Sequence, residues 1–347
     1  MALPSSEIAP LANKAVEVPG PRRSHPVAMF VIRRVAAGLL TLLAASIVIF
    51  LAASVLPGNA AMVILGRAAQ PGTVRALESR LGLDHSLAHR YLAWLWSMLH
   101  GNFGDSAVAL AEGRAQTSIS ATLGEPFLHS AVLALVTTAL LVPLTLFFGA
   151  LAGMHAGRRL DHAISVPSLV FGGLPEFVSG TGLIYVFFTV LGLLPPVALL
   201  SPGTSTSSLV KQMVLPVLTL LAVALGAGIR QVRSGMIETL GEQFVHYARM
   251  NGIGERRVLV RYALRNALAP SVQTIAQNLQ YLVGGIIIVE SIFAYPGIGT
   301  YLVNAVTTRD VTEVQAASLI LATVYIVINI VADLTVVLIV PRLRTAL

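Results

Sequence analysis

Apolar stretches with at most one charged residue, about as long as a bilayer is thick, recur along this chain, and nothing else constrains its fold so tightly. Residues 35–56, 131–152, 213–229, 272–292 and 316–340 form five such runs. A spanning helix needs about 20 residues, which four of the runs meet and 213–229 barely reaches. Composition agrees: 55% of the 347 residues are hydrophobic and only 11% are charged, where a soluble chain carries about a quarter charged. With no cysteine, disulfide frameworks, thiolate zinc sites and iron–sulfur clusters are excluded.

A sixth region, 163–194, is ambiguous because it is long and contains Pro167 and Pro175. It reads either as one tilted, kinked helix or as two short ones. Arginine placement sets its parity. Arg158 and Arg159 precede it, and Arg230, Arg233, Arg249, Arg256, Arg257, Arg261 and Arg265 follow run 213–229. Both clusters are expected in the cytoplasm, so an even number of crossings separates them and 163–194 supplies one. The expectation is an all-α membrane protein with six transmembrane helices and both termini cytoplasmic.

The same asymmetry accounts for the net charge of +7 without nucleic acid. Three parts follow: a flexible cytoplasmic tail over 1–27, the first helix with a large external loop over 28–129, and a transmembrane core over 130–347 with a basic cytoplasmic loop at 230–270. The tail is polar and Pro-rich and is not a signal peptide. Arg33 and Arg34 do not make a twin-arginine signal, since the run behind them is too long. In the external loop, Leu77 and Leu81, and then Leu87, Tyr91 and Leu95, recur at helical spacing, which predicts amphipathic helices on the outer membrane face or on a partner.

The basic loop is the most informative stretch. It runs His246-Tyr247-Ala248-Arg249-Met250-Asn251-Gly252, then Glu255-Arg256-Arg257, then Arg265-Asn266-Ala267-Leu268-Ala269-Pro270. A short helix with small Ala248 on its face admits close approach of another protein, and Gly252 permits a sharp end. A second helix over 256–268 leads back to the membrane. An interfacial helix held by anionic lipid fits the same residues, and physics alone leaves both readings open.

At these residues the sequence resembles the membrane permeases of ATP-binding-cassette (ABC) importers. Their cytoplasmic loop carries E-A-A-x-x-x-G; Tyr247, Ala248 and Gly252 take its second, third and last positions, and His246 replaces the acidic residue. That departure is similar to the dipeptide/oligopeptide (peptide/nickel) branch, with Asn251 where a lysine and Tyr262 where a histidine is usual. Further matches resemble the first permease subunit of that branch: Leu56-Pro57-Gly58, Leu81-Gly82-Leu83-Asp84, the run from Gly101 to Ser106, Pro175-Glu176-Phe177, the run from Glu290 through Pro296 and Gly297 to Gly299, and Pro341-Arg342. Val340 stands where an acidic residue is usual.

The resemblance implies a type I importer permease in a bacterial-type inner membrane. Its partners would be a second permease, two cytoplasmic ATP-binding subunits or domains, and an extracytoplasmic substrate-binding protein. ATP-driven closure of the ATPases would reach the membrane through Tyr247, Ala248, Arg249, Gly252, Glu255 and Arg256. Glu290, Pro296, Gly297 and Gly299 would close the fifth span outside. The solute would be a di- or oligopeptide, or alternatively a nickel chelate or another small solute. No cofactor or metal is implied.

Gln273, Gln277 and Gln280 share one face of the fifth span, with Asn278 on another. Amides facing lipid are costly, so the stripe lines a wet solute path, together with Glu176, or bonds to neighbouring helices. Enzyme readings find little support. Lys14 and Lys211, the only lysines, end no phosphate-binding loop. His85 and His89 lack a third metal ligand, and Ser179 has no histidine in a later span to serve it. An ion-coupled secondary transporter would use Glu176, Glu290 or Asp333. Glu290 is expected to reach water or a backbone donor, and Asp333 to pair with Asn329 or a neighbouring helix.

Overall fold

A computed structural model of the chain describes residues 26–55, 70–72, 74–75, 85–111, 118–199 and 205–339. Positions 1–25, the pair Leu77 and Leu81, the stretches 56–58 and 81–84, and the last residues fall outside them. Among the described residues the structure is helical apart from one isolated antiparallel bridge between Asp105 and Ser118.

The long helices are α1 (Pro26–Val55), α3 (Gly124–Met154), α6 (Thr206–Gly241), α8 (Arg265–Ile292) and α10 (Val311–Ile339). Between them lie α2 (Leu87–Leu99), α4 (Arg159–Gly172), α5 (Glu176–Ile184), α7 (Gln243–Met250) and α9 (Ile298–Thr308). Segments Met29–Ser54, Ile119–Met154, Thr206–Gly241 and Val311–Val337 are each long and apolar enough to cross a membrane. The pair Arg159–Gly172 and Glu176–Val190, bent by 109°, is long and apolar enough to be either a broken fifth span or a re-entrant turn. With the 28-residue α8 the arrangement is compatible with six crossings.

Two expectations need correction and one open choice is decided. Run 213–229 is the middle of a 36-residue helix, because its polar flanks contain no residue that breaks the helix before Gly241. Region 163–194 is two helices, and the break falls at Gly173–Pro175, where Pro175 is extended (ψ 150°) and caps α5; Pro167 stays inside α4. Residues 256–268 do not form a separate helix. Glu255–Arg257 and a π-helical turn, Val258–Leu264, run directly into α8.

Helix α6 is the centre of the bundle and packs on α3, α4, α5 and α8. Apolar side chains gain little by leaving lipid, so helices here associate through close packing. Gly149 and Gly153, spaced four apart on α3, supply it. A β-carbon at Gly149 would stand 2.5 Å from Val232 Cβ, and one at Gly153 would stand 2.6 Å from Met236 Cβ. Helix α1 packs on α10 and exposes Leu39, Leu40, Leu43 and Val48, as a lipid-facing helix does. Arg34 of α1 pairs with Asp333 of α10. The expected Asn329 partner instead donates to the Tyr325 carbonyl at 2.9 Å.

The short elements between α1 and α3 are tied to this frame by polar bonds. Tyr91 of α2 shares a 2.9 Å hydrogen bond with Ser46 of α1, and Phe50 packs against Tyr91 and Trp94. Buried Asp310 accepts from the Ser106 hydroxyl at 2.5 Å, from the Val108 amide at 3.1 Å and from the Glu313 amide at 3.1 Å. It thereby fixes the segment around Ser106 to the start of α10.

Candidate solute groove and cytoplasmic loop

Helices α5, α8 and α10 surround a groove of about 710 Å³, within the ~300–1,000 Å³ of typical small-molecule sites. Glu176, Gln277, Gln280, Tyr281 and Tyr325 line it. Gln277 is exposed and Gln280 half-buried on the same side, whereas Asn278 is buried and donates to the Ala224 carbonyl at 3.3 Å. The amide stripe and its off-face neighbour thus have different surroundings, as the helical spacing predicts. The side chain of Gln273 lies outside the described residues. Glu176 is 6% exposed, at the first turn of α5. Its Oε1 would stand 3.1 Å from a β-carbon at Gly285, so the carboxylate rests against bare backbone of α8. Tyr281 and Tyr325 were not singled out by sequence, because apolar helices offer no signal for which tyrosines converge.

In the basic loop, α7 ends at Asn251, and Gly252 takes a left-handed conformation, φ 73°. The Gly252 amide donates to the Arg249 carbonyl at 2.9 Å and the Ile253 amide to the Ala248 carbonyl at 3.2 Å. Arg249 meets Glu255 through two bonds, 2.6 and 3.1 Å. The Arg249 guanidinium holds the Glu255 carboxyl below its ordinary range. Ala248 does not face outward, contrary to expectation. It is buried with Val245 and Val258 in a small cluster that joins α7 to the following turn. The outward face of α7 presents Tyr247, 60% exposed, and Met250, 70% exposed. Arg256 is exposed.

A pair that sequence reading did not single out sits nearby. Arg233 of α6 grips Asp161 of α4 through bonds of 2.6 and 2.8 Å. Asp161 also accepts from the Gly157 amide at 2.8 Å and the Ser165 hydroxyl at 2.9 Å. The signal was present only as an acidic residue among arginines.

At the C-terminal end of α8, Glu290 is fully buried. Of the two expected partners, water or a backbone donor, it finds the backbone: it accepts from the Gly299 amide at 2.7 Å and the Thr300 amide at 3.3 Å, and also from the Ser130 hydroxyl. Ser130 in turn accepts from the Ile298 amide at 2.8 Å. A β-carbon at Gly297 would overlap the Glu290 carboxylate. The Pro296 carbonyl lies 3.0 Å from His129 Nδ1, and the Tyr295 hydroxyl donates to the His129 carbonyl at 2.9 Å. The turn between α8 and α9 is thereby clamped to α3. His85 and His89 are both exposed, and no group of three metal-ligating side chains occurs among the described residues.

Long apolar helices packed through small residues beside a mostly apolar groove that holds a few polar side chains fit a membrane permease subunit. The chain belongs to the family of binding-protein-dependent transport system inner membrane components, whose pattern matches residues 145–345; the pattern of the N-terminal part of such components matches residues 27–148. The chain is 30% identical to the oligopeptide transport system permease protein AppB of Bacillus subtilis, over 76% of this chain and 83% of that protein. It is 32% identical to the di/tripeptide transport system permease protein DppB of Pseudomonas aeruginosa, over 76% and 83%. A peptide permease protein of Brucella suis is 33% identical over 78% and 83%. The protein is thus a multi-pass permease component of an ABC transport system.

Proposed function

We propose that this chain forms one half of the solute path of an ABC importer for short peptides, beside a second permease. The observation that carries the reading is the groove between α5, α8 and α10. Its volume is about 710 Å³ and its polar lining includes the uncharged amides of Gln277 and Gln280. Amides offer both donors and acceptors, which match a peptide backbone without a charge that would hold it fast. Relatives named for peptide transport support the same solute.

Two cytoplasmic ATPases dock on the loop 230–270, on the exposed face of α7, and an extracytoplasmic binding protein delivers solute to the external elements. Both termini are cytoplasmic, the N-terminal 27 residues forming a tail. Closure of the ATPases shifts the population between outward- and inward-facing cavities. Uptake of radiolabelled tri-alanine by cells with and without the chain tests this reading. Uptake is expected to fall at least tenfold on deletion and to return with the gene; undiminished uptake overturns the peptide assignment. Single introduced cysteines test the topology: labelling of position 159 from outside intact cells sinks it.

A further inference from the structure

The amides of the groove account for contact with a peptide backbone, but not for the charge beside them. Glu176 is the one charged side chain among the described residues that line it. Its residue is 6% exposed, and the Tyr281 side chain lies beside it in the groove. A carboxylate inside a membrane protein is expensive unless it meets a counter-charge. The N-terminus of α5 supplies about half an elementary charge, which leaves much of the negative charge directed at the groove.

From this geometry we infer that Glu176 is the binding site for the primary ammonium of the solute, so that a peptide lies with its amino end against α5. The inference rests on the peptide-importer reading and gives that path a polarity. An ammonium has three N–H donors. One reaches the Glu176 carboxylate, and the other two are shared among the hydroxyl of Tyr281 and the side-chain carbonyls of Gln277 and Gln280. The rings of Tyr281 and Tyr325, both facing the groove, add favourable quadrupoles around a cation. Gly285 belongs to the same construction. With a side chain there, the new β-carbon would press on Glu176 Oε1 at 3.1 Å and turn the carboxylate away. A purely structural role for Glu176, capping the positive end of α5, uses the same charge but has no means of distinguishing one solute terminus from another.

That distinction supplies the test. The chain has no cysteine, so Ala322→Cys places a single thiol in the groove of the complete transporter without removing any of the proposed ligands. In membrane vesicles, the rate of labelling by a water-soluble maleimide is measured with tri-alanine amide, which carries only the ammonium, and with its N-acetylated form, which carries no charge. Tri-alanine amide is expected to slow labelling about fivefold and the acetylated form not to. Adding Glu176→Gln is expected to abolish the difference, and Glu176→Asp, which keeps the charge, to retain part of it. Equal protection by both peptides, or an amine preference that survives Glu176→Gln, overturns the ammonium site and leaves the peptide reading intact. Protection by neither also overturns it. The peptide reading falls separately, and only if tri-alanine uptake by cells proves independent of the chain.

Discussion

Gly297 packs so closely on Glu290 that a β-carbon would overlap the carboxylate. The glycine is therefore required by a side chain seven positions earlier and not by its own backbone, which is extended (φ −100°, ψ −179°). Gly297→Ala is expected to cost about 1–3 kcal/mol, the range for overpacking. Glu290→Ala is expected to cost more, because it orphans the buried amide of Gly299 and the hydroxyl of Ser130, each at about 1–3 kcal/mol. Thermal aggregation midpoints of the purified protein in detergent check the order: both below wild type, Glu290→Ala lowest.

The Asp161–Arg233 pair gives an asymmetric prediction. Asp161 is 2% exposed at its side chain and Arg233 31%. Arg233→Met strands a buried carboxylate and is expected to cost about 3–5 kcal/mol. Adding Asp161→Asn removes the stranded charge and restores part of that loss. A double variant no more stable than Arg233→Met alone contradicts the account. The readout is resistance of solubilised protein to unfolding.

On the cytoplasmic loop, exposure and burial predict opposite phenotypes for adjacent residues. Tyr247→Ala and Met250→Ala remove apolar contact from the exposed face of α7. They are expected to lower ATP hydrolysis stimulated by the binding protein more than tenfold while the chain stays folded. Ala248→Trp has no space against Val245 and Val258 and is expected to unfold the loop itself. Protease resistance of the loop, measured beside ATPase stimulation, separates the two. Normal stimulation in Tyr247→Ala with Met250→Ala sinks the assignment of this face.

Arg34 and Asp333 join α1 to α10, and α1 has few other partners in the bundle. Side-chain exposures of 46% and 21% place the pair at the surface, where such bridges contribute up to about 1 kcal/mol. Arg34→Ala and Asp333→Ala are expected to lower yield in the membrane by similar amounts, with the double variant no worse than either. Additive losses would show that the two residues act independently.

Much of the fold was legible because lipid leaves so few ways to place apolar sequence. Runs of the right length became helices, and the prolines marked 163–194 as a region that bends, which it does just before Pro175. Legibility ended where structure depends on tertiary neighbours. Polar flanks concealed that 213–229 belongs to a much longer helix, since Ser, Gln and Arg are no obstacle to helix outside hydrocarbon. Asp333 found Arg34, 299 positions away, and no local pattern announces such a partner. The groove assembles from three helices, so the glutamines on one face were visible but Tyr281 and Tyr325 were not. Ala248 matched a pattern position while its outward orientation, inferred from size, was wrong.

The length of α6 has a mechanical consequence. Its 36 residues extend about 54 Å at 1.5 Å per residue, against a hydrocarbon thickness of about 30 Å. One helix therefore reaches through the centre of the bundle to within two residues of α7. Pro216 lies inside it, and an interior proline leaves out one backbone hydrogen bond and favours a bend at that point. A displacement of α7 is carried along the continuous hydrogen-bonded part of the helix as far as Pro216. Beyond it the helix has a built-in place to flex, so its two ends need not move as one.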